Sequence, residues 1–118
     1  MSMTIEDHHA GDVLVVKVAG HVTALEGVER FSDALRTFVQ RGQIRIVLDV
    51  GSVTRIDSMG LGAMLRTHVS TARRGGATKL LRVRGHVRDL LEVTRLLPVF
   101  EAYDDERAAI ESFGSEID

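Results

Sequence analysis

Residues 44–83 carry the pattern that most restricts the fold. An apolar run, IRIVLDV (44–50), precedes a helical-period stretch in which Leu61, Met64, Leu65, His68, Val69 and Ala72 recur on one stripe. That stretch stops at Arg73-Arg74-Gly75-Gly76, with cations in a last turn and then glycine. A second apolar run, TKLLRV (78–83), follows. Strand, helix and strand at this spacing form a crossover unit. Its two strands lie parallel in one sheet and its helix covers a face.

The flanks extend the same alternation. VLVVKVA (13–19), closed by Gly20, reads as a mostly buried strand, and a shorter strand over residues 3–7 precedes it across the turn signal Gly11-Asp12. Thr23-Ala24-Leu25-Glu26 fits a capping box, and Val28, Phe31, Leu35, Phe38 and Val39 continue a helix that Gly42 stops. After residue 83, Val87, Leu90 and Leu91, with Val93 left open, mark a short helix that Pro98 prevents from continuing. Residues 99–103 suit a last short strand. Asp104 or Asp105 then caps a final helix with Ala108, Ala109, Ile110 and Phe113 inward, and residues 114–118 look frayed. The expectation is an α/β domain: a small mixed sheet of four to five strands, antiparallel at its N-terminal edge, with about four packed helices.

Bulk properties narrow the function classes. A chain of 118 residues suits one domain, here residues 1–118, and 44% hydrophobic residues supply a core. The net charge of −2 argues against bulk nucleic acid or an anionic membrane as partner. Without cysteine there is no disulfide, thiol chemistry or thiolate metal site. No apolar run reaches membrane-spanning length, and the polar start MSMTIEDHHAGD is unlike a secretory signal, so a cytoplasmic location is expected.

Only the end of the first strand–helix connection looks like chemistry: Asp57-Ser58-Met59-Gly60-Leu61-Gly62. The commonest role for Ser58 there is helix N-cap. That role is compatible with Ser58 as a phosphate acceptor, because such an oxygen lies beside unpaired amides at the positive helix end, where a phosphate is tolerated. Gly60 and Gly62 would keep that turn bare, and of Met59 and Leu61 one turns inward. A hydrolase elbow needs glycine where Ile56 stands, and a dinucleotide fingerprint needs glycine where Leu65 stands. His8 and His9 are strand neighbours that point apart and make a poor metal pair. Arg73, Arg74, Arg82, Arg84, Arg88 and Arg95 form a loose basic set without interleaved aromatics, better read as solvated faces and helix-end charges. No cofactor or metal is called for.

These residues resemble the STAS family, the bacterial anti-sigma factor antagonists and their relatives. The matching segments are DVLVVKVAGHV, IRIVLDVGSVTRIDSMGLGAML, ARRGGATKLLRV and VRDLLEVTRLLPVFEAYDDERAAIESF, in family order over residues 12–113. The resemblance implies a STAS-like fold and a regulatory protein rather than an enzyme. It implies that Ser58 is phosphorylated by an anti-sigma factor that is also a serine protein kinase. The unphosphorylated form would bind that kinase and free the sigma factor, and a phosphoserine phosphatase would reset the cycle. It further implies a partner-binding surface of His21, Thr23, Asp57, Ser58, Met59, Gly60 and Gly62. The sequence departs from the family pattern at three places: Met59 replaces a second serine, Thr23 an aspartate, and Arg95 a common glycine. The same resemblance also allows a STAS interaction module of a stress-signalling or transporter-associated assembly, in which the serine is silent.

Overall fold

A computed structural model describes residues 2–114. The chain runs β1 (Thr4–Ala10), β2 (Val13–Val22), α1 (Val28–Gln40), β3 (Arg45–Ile56), α2 (Ser58–Arg73), β4 (Ala77–Leu81) and α3 (Gly85–Val93). A 3-10 turn (Leu97–Val99), β5 (Ala102–Tyr103) and α4 (Glu106–Glu111) complete it. The five strands lie side by side in sequence order. β1 is antiparallel to β2 through a two-residue turn at Gly11-Asp12, and every later pairing is parallel. This is the expected mixed α/β sheet with four helices. The expected fraying of the C-terminus falls largely on residues 115–118, outside the described residues.

The sheet divides its side chains by alternation. Leu14, Val16 and Val18 of β2, Ile46, Leu48 and Val50 of β3 and Leu80 of β4 join one core with Phe31, Leu35, Met64, Val87 and Leu91 from α1, α2 and α3. Val13, Val15, Val47 and Leu81 face the other way and meet Ala109 of α4. Two polar groups, exposed Asp105 and buried Lys79, pin α4 and the edge. Asp105 caps α4 by accepting from the Ala108 amide at 2.9 Å. Beneath that helix Lys79 Nζ donates to Ser112 and reaches Glu101 at 3.2 Å, with the Phe113 ring 4.4 Å away.

Several sequence expectations shift. β3 does not end at Val50 but runs on to Ile56, because β2 pairs with it through Val22, with two register shifts on the way. Gly51 sits inside the strand where a Cβ would meet the Arg82 side chain at 2.8 Å. The Thr23–Glu26 segment is a tight turn rather than the first turn of a helix. Gly27, at φ 92°, ends it, and α1 starts at Val28. The Thr23 hydroxyl accepts from the Glu26 amide at 3.2 Å, while the Glu26 carboxylate turns to His21. Residues 99–103 yield only a two-residue strand, since Pro98 and its neighbours form the 3-10 turn. On the helices, Val69, Ala72, Val93 and Ala108 face solvent instead of the core, and Thr67 and Thr71 take the buried side of α2.

Candidate functional site

The site forms where β3 gives way to α2. Ile56 is the last strand residue, buried, and its amide donates to His86 Nδ1 at 2.9 Å. Asp57 then adopts an extended backbone and caps the helix. Its Oδ1 accepts from the amides of Met59 (3.0 Å) and Gly60 (3.1 Å). Its Oδ2 accepts from the Ala24 amide at 2.8 Å, across 33 residues of sequence. Ser58 is therefore the first helical residue and not the cap. The carboxylate wins this position because it alone reaches both the helix amides and the neighbouring loop.

This arrangement changes the electrostatics expected at the helix mouth. The first amides are not vacant, because Asp57 already holds two of them. Partial burial pushes the Asp57 carboxyl upward. The Ala24, Gly60 and Met59 amides together outweigh that effect, so it titrates below the ordinary carboxylate value. A fixed negative charge thus stands beside Ser58 at neutral pH. The Ser58 side chain is exposed, and among the described residues nothing hydrogen-bonds its hydroxyl.

The apolar neighbours resolve into one inward and one outward residue. Leu61 is buried in the main core, whereas Met59 keeps 54% of its surface exposed. Leu25, at the tip of the turn that Asp57 holds through Ala24, is fully exposed. Sequence reasoning passed over Leu25. Its signal was Gly27, which breaks the helix that would otherwise have been read through residue 25. The two glycines also separate. Gly60 is buried against β2, and a Cβ there would collide with the Val22 carbonyl oxygen and lie 2.8 Å from Ile56 Cγ1. Gly62 is half-buried, and a Cβ there would touch only the Arg66 guanidinium at 3.3 Å.

Of the residues singled out from sequence, Asp57, Ser58, Met59 and Gly62 share one surface. His21 borders it, half-buried, with Nδ1 3.0 Å from Glu26 Oε1. Thr23 and Gly60 lie beneath the surface: Thr23 is spent on holding its turn, and Gly60 on letting α2 approach β2. The six arginines do not form one set. Arg82 pairs with buried Asp49 at 2.7 Å, Arg84 donates to the Gly51 carbonyl and Arg88 pairs with Glu92. Arg73 and Arg74 lie elsewhere, between α1 and α2. His8 and His9 reach opposite ways, to Glu106 and Gln43. Among the described residues no helix is long and apolar enough to cross a membrane.

Known proteins are similar to this chain in sequence and in architecture. An anti-sigma F factor antagonist of Paenibacillus polymyxa is 30% identical over 115 residues, covering 93% of this chain and 94% of the relative. The crystal structure of an anti-sigma factor antagonist from Mycobacterium paratuberculosis superposes with a TM-score of 0.85 at 20% identity, covering 97% of this chain and 96% of that one. The Bacillus cell fate determinant SpoIIAA in its phosphorylated form superposes with a TM-score of 0.73 at 20% identity, covering 92% and 98%. The family model described as the STAS domain matches residues 4–109, nearly the whole chain. The chain belongs to the STAS domain family.

Proposed function

We propose that this chain is an anti-sigma factor antagonist whose partner, an anti-sigma factor with serine-kinase activity, docks on the Ser58 turn and is released when Ser58 is phosphorylated. The observation that carries this reading is the exposed, unpartnered Ser58 hydroxyl, with exposed Met59 next to it in sequence and exposed Leu25 in the turn that Asp57 holds through Ala24. Exposed apolar side chains on the two segments that Asp57 joins give a partner area to bury. The hydroxyl itself costs little to cover while it is neutral. The relationship to an anti-sigma F factor antagonist supports the choice of partner class.

Phosphorylation would move the γ-phosphoryl group of ATP to Ser58 Oγ. The new P–O bond forms as the bond to the β-phosphate oxygen breaks, ADP leaves, and the hydroxyl proton passes to a base of the kinase. The product carries about −1.5 to −2 charges. Asp57 occupies the Met59 and Gly60 amides that would otherwise neutralise a phosphate at a helix start. The new charge is left facing outward, beside a carboxylate, with only solvent or partner to meet it. Repulsion from one partner carboxylate about 5 Å away, at an effective dielectric near 20, is about 6 kcal/mol before salt and relaxation reduce it. About half of that suffices to weaken binding more than a hundredfold. No refolding is required, and a phosphoserine phosphatase restores the binding form.

The deciding experiment is incubation of the purified chain with its cognate kinase and ATP, followed by mass spectrometry and calorimetry. Phosphate on Ser58 accompanied by loss of kinase affinity is the expected result. Phosphate on another residue, or an affinity that phosphorylation leaves intact, would refute the proposal.

A further inference from the structure

A concave surface lies along the α1–α2 seam, from Ala63 near the start of α2 to its C-terminal end. It is a half-open groove of about 390 Å³, within the range of roughly 300–1,000 Å³ typical of small-molecule sites. Leu35, Val39 and Ala63 form its floor. Four arginines, Arg36, Arg66, Arg73 and Arg74, stand around it, and no carboxylate lines it. That concentration is notable in a chain whose net charge is −2.

The guanidinium groups are unequally committed. Arg36 pairs with Asp33 on the outer rim at 2.7 Å, and Arg74 gives one N–H to the Val39 carbonyl at 2.8 Å. Arg66 and Arg73 have no ion pair or hydrogen bond to any described residue. With Ser70 they fall on one stripe of α2 at spacings of four and three residues, so they address the same groove. Like charges that line one groove repel one another, and an anion between them relieves the repulsion. Guanidinium forks match phosphate oxygens in pairs, which is why arginine serves such sites.

We infer that the α1–α2 groove binds a small organic diphosphate, its two phosphate groups held by Arg66 and Arg73 and its organic part laid on the Leu35–Val39 floor. Arg36 and Arg74 add charge from the two ends. Arg73 is about 22 Å along α2 from Ser58 at 1.5 Å per residue, whereas Arg66, about 12 Å away, sets its guanidinium beside Gly62, so the groove begins next to the docking turn and runs away from it.

The test is calorimetric titration of the full chain with pyrophosphate at low salt. Three forms are compared: the native chain, the double variant Arg66→Ala/Arg73→Ala, and a control, Arg88→Ala/Arg107→Ala, that removes the same charge elsewhere. Saturable one-to-one binding is expected, weakened at least about tenfold in the groove variant and no more than about twofold in the control. Arg66→Gln/Arg73→Gln, which keeps much of each side-chain stem, gives the same reading if the alanine form does not fold. Absence of saturable binding at millimolar pyrophosphate, or equal losses in the groove variant and the control, would overturn the inference.

Discussion

The carboxylate of Asp57 is bonded to the backbone of Ala24, 2.8 Å away, and by its other oxygen to the first turn of α2. One side chain therefore fixes the two segments that flank Ser58. Exposed Leu25 and exposed Met59 belong to the two segments that this link ties together.

Removal of the link has a predictable cost. Loss of a helix N-cap costs about 0.5–2 kcal/mol. Asp57→Ala also leaves the Ala24 amide without its acceptor, so the upper half of that range is expected in denaturant unfolding. The pH dependence follows from the depressed Asp57 value. A carboxyl held lower in the folded than in the unfolded state adds stability at pH above its unfolded value. That stability disappears as pH falls through the folded value. Glu101 is also depressed, through Tyr103 and Lys79. The informative quantity is therefore the difference between native protein and Asp57→Asn. It should be constant from neutrality down to about pH 5 and shrink below about pH 4. A difference that stays flat to acid pH would mean that the charge on Asp57 contributes nothing.

The switch residue makes its own prediction. Ser58→Ala should bind the kinase with near-native affinity, and Ser58→Asp and Ser58→Glu should bind at least about tenfold less well, since a single added charge acts through the same repulsion. Both acidic variants should fold as stably as the native chain, because a carboxylate in the first helical turn suits the dipole. Calorimetry with the kinase and thermal unfolding of the isolated chain separate the two effects. Equal affinities for the alanine and aspartate forms would remove charge as the basis of release.

How much of this was visible in the sequence depends on range. The crossover unit was legible because alternating and 3.6-residue periods are local, and the core residues of β2 and β3, with Leu61 and Met64 of α2, follow from them; Thr67 and Thr71 do not, because polar residues on the buried side break the apolar stripe. The Ser58 neighbourhood was legible for the same reason: a strand run, a capping residue type and small residues stand together. The capping assignment went to Ser58 instead of Asp57 because both residue types cap well and they are adjacent. What decides between them is the Ala24 amide, which is 33 positions away. The continuation of β3 past Gly51 was equally hidden, since it depends on pairing with the far end of β2. Arg36 and Arg66 were not grouped with Arg73 because only the α1–α2 contact brings them together.

Gly60 and Gly62 looked alike in sequence and should behave oppositely. Gly60→Ala forces a methyl group against the Val22 carbonyl and Ile56, both of which belong to packed strands that cannot retreat. Overpacking of this kind costs about 1–3 kcal/mol, and a clash with backbone belongs at the top of that range. Gly62→Ala meets only the end of the flexible Arg66 side chain and gains helix propensity of up to about 1 kcal/mol. A lower melting temperature for the first and an equal or higher one for the second are expected. Similar losses in both would show that the two positions are equally confined.

Arg95 occupies a position where the chain asks for glycine. It follows the C-cap of α3 at φ 61°, a left-handed conformation that costs a residue with a Cβ about 1–2 kcal/mol. Its side chain is exposed, and among the described residues nothing pairs with it. Arg95→Gly removes that strain, while the extra freedom of glycine in the unfolded chain returns part of the gain. A net stabilisation of about 0.5–1 kcal/mol is expected in urea unfolding, with an unchanged slope. Arg95→Ala keeps the Cβ and should gain nothing, and Arg95→Val should lose stability because branching worsens the same contact. Arg82, at φ 59°, is the built-in contrast. Its guanidinium holds the buried Asp49 carboxylate, so Arg82→Gly relieves the backbone but strands a charge and should destabilise. The opposite signs of the two glycine substitutions are the measurement that separates backbone strain from side-chain pairing. Stabilisation by both would show that the Asp49 pair contributes little.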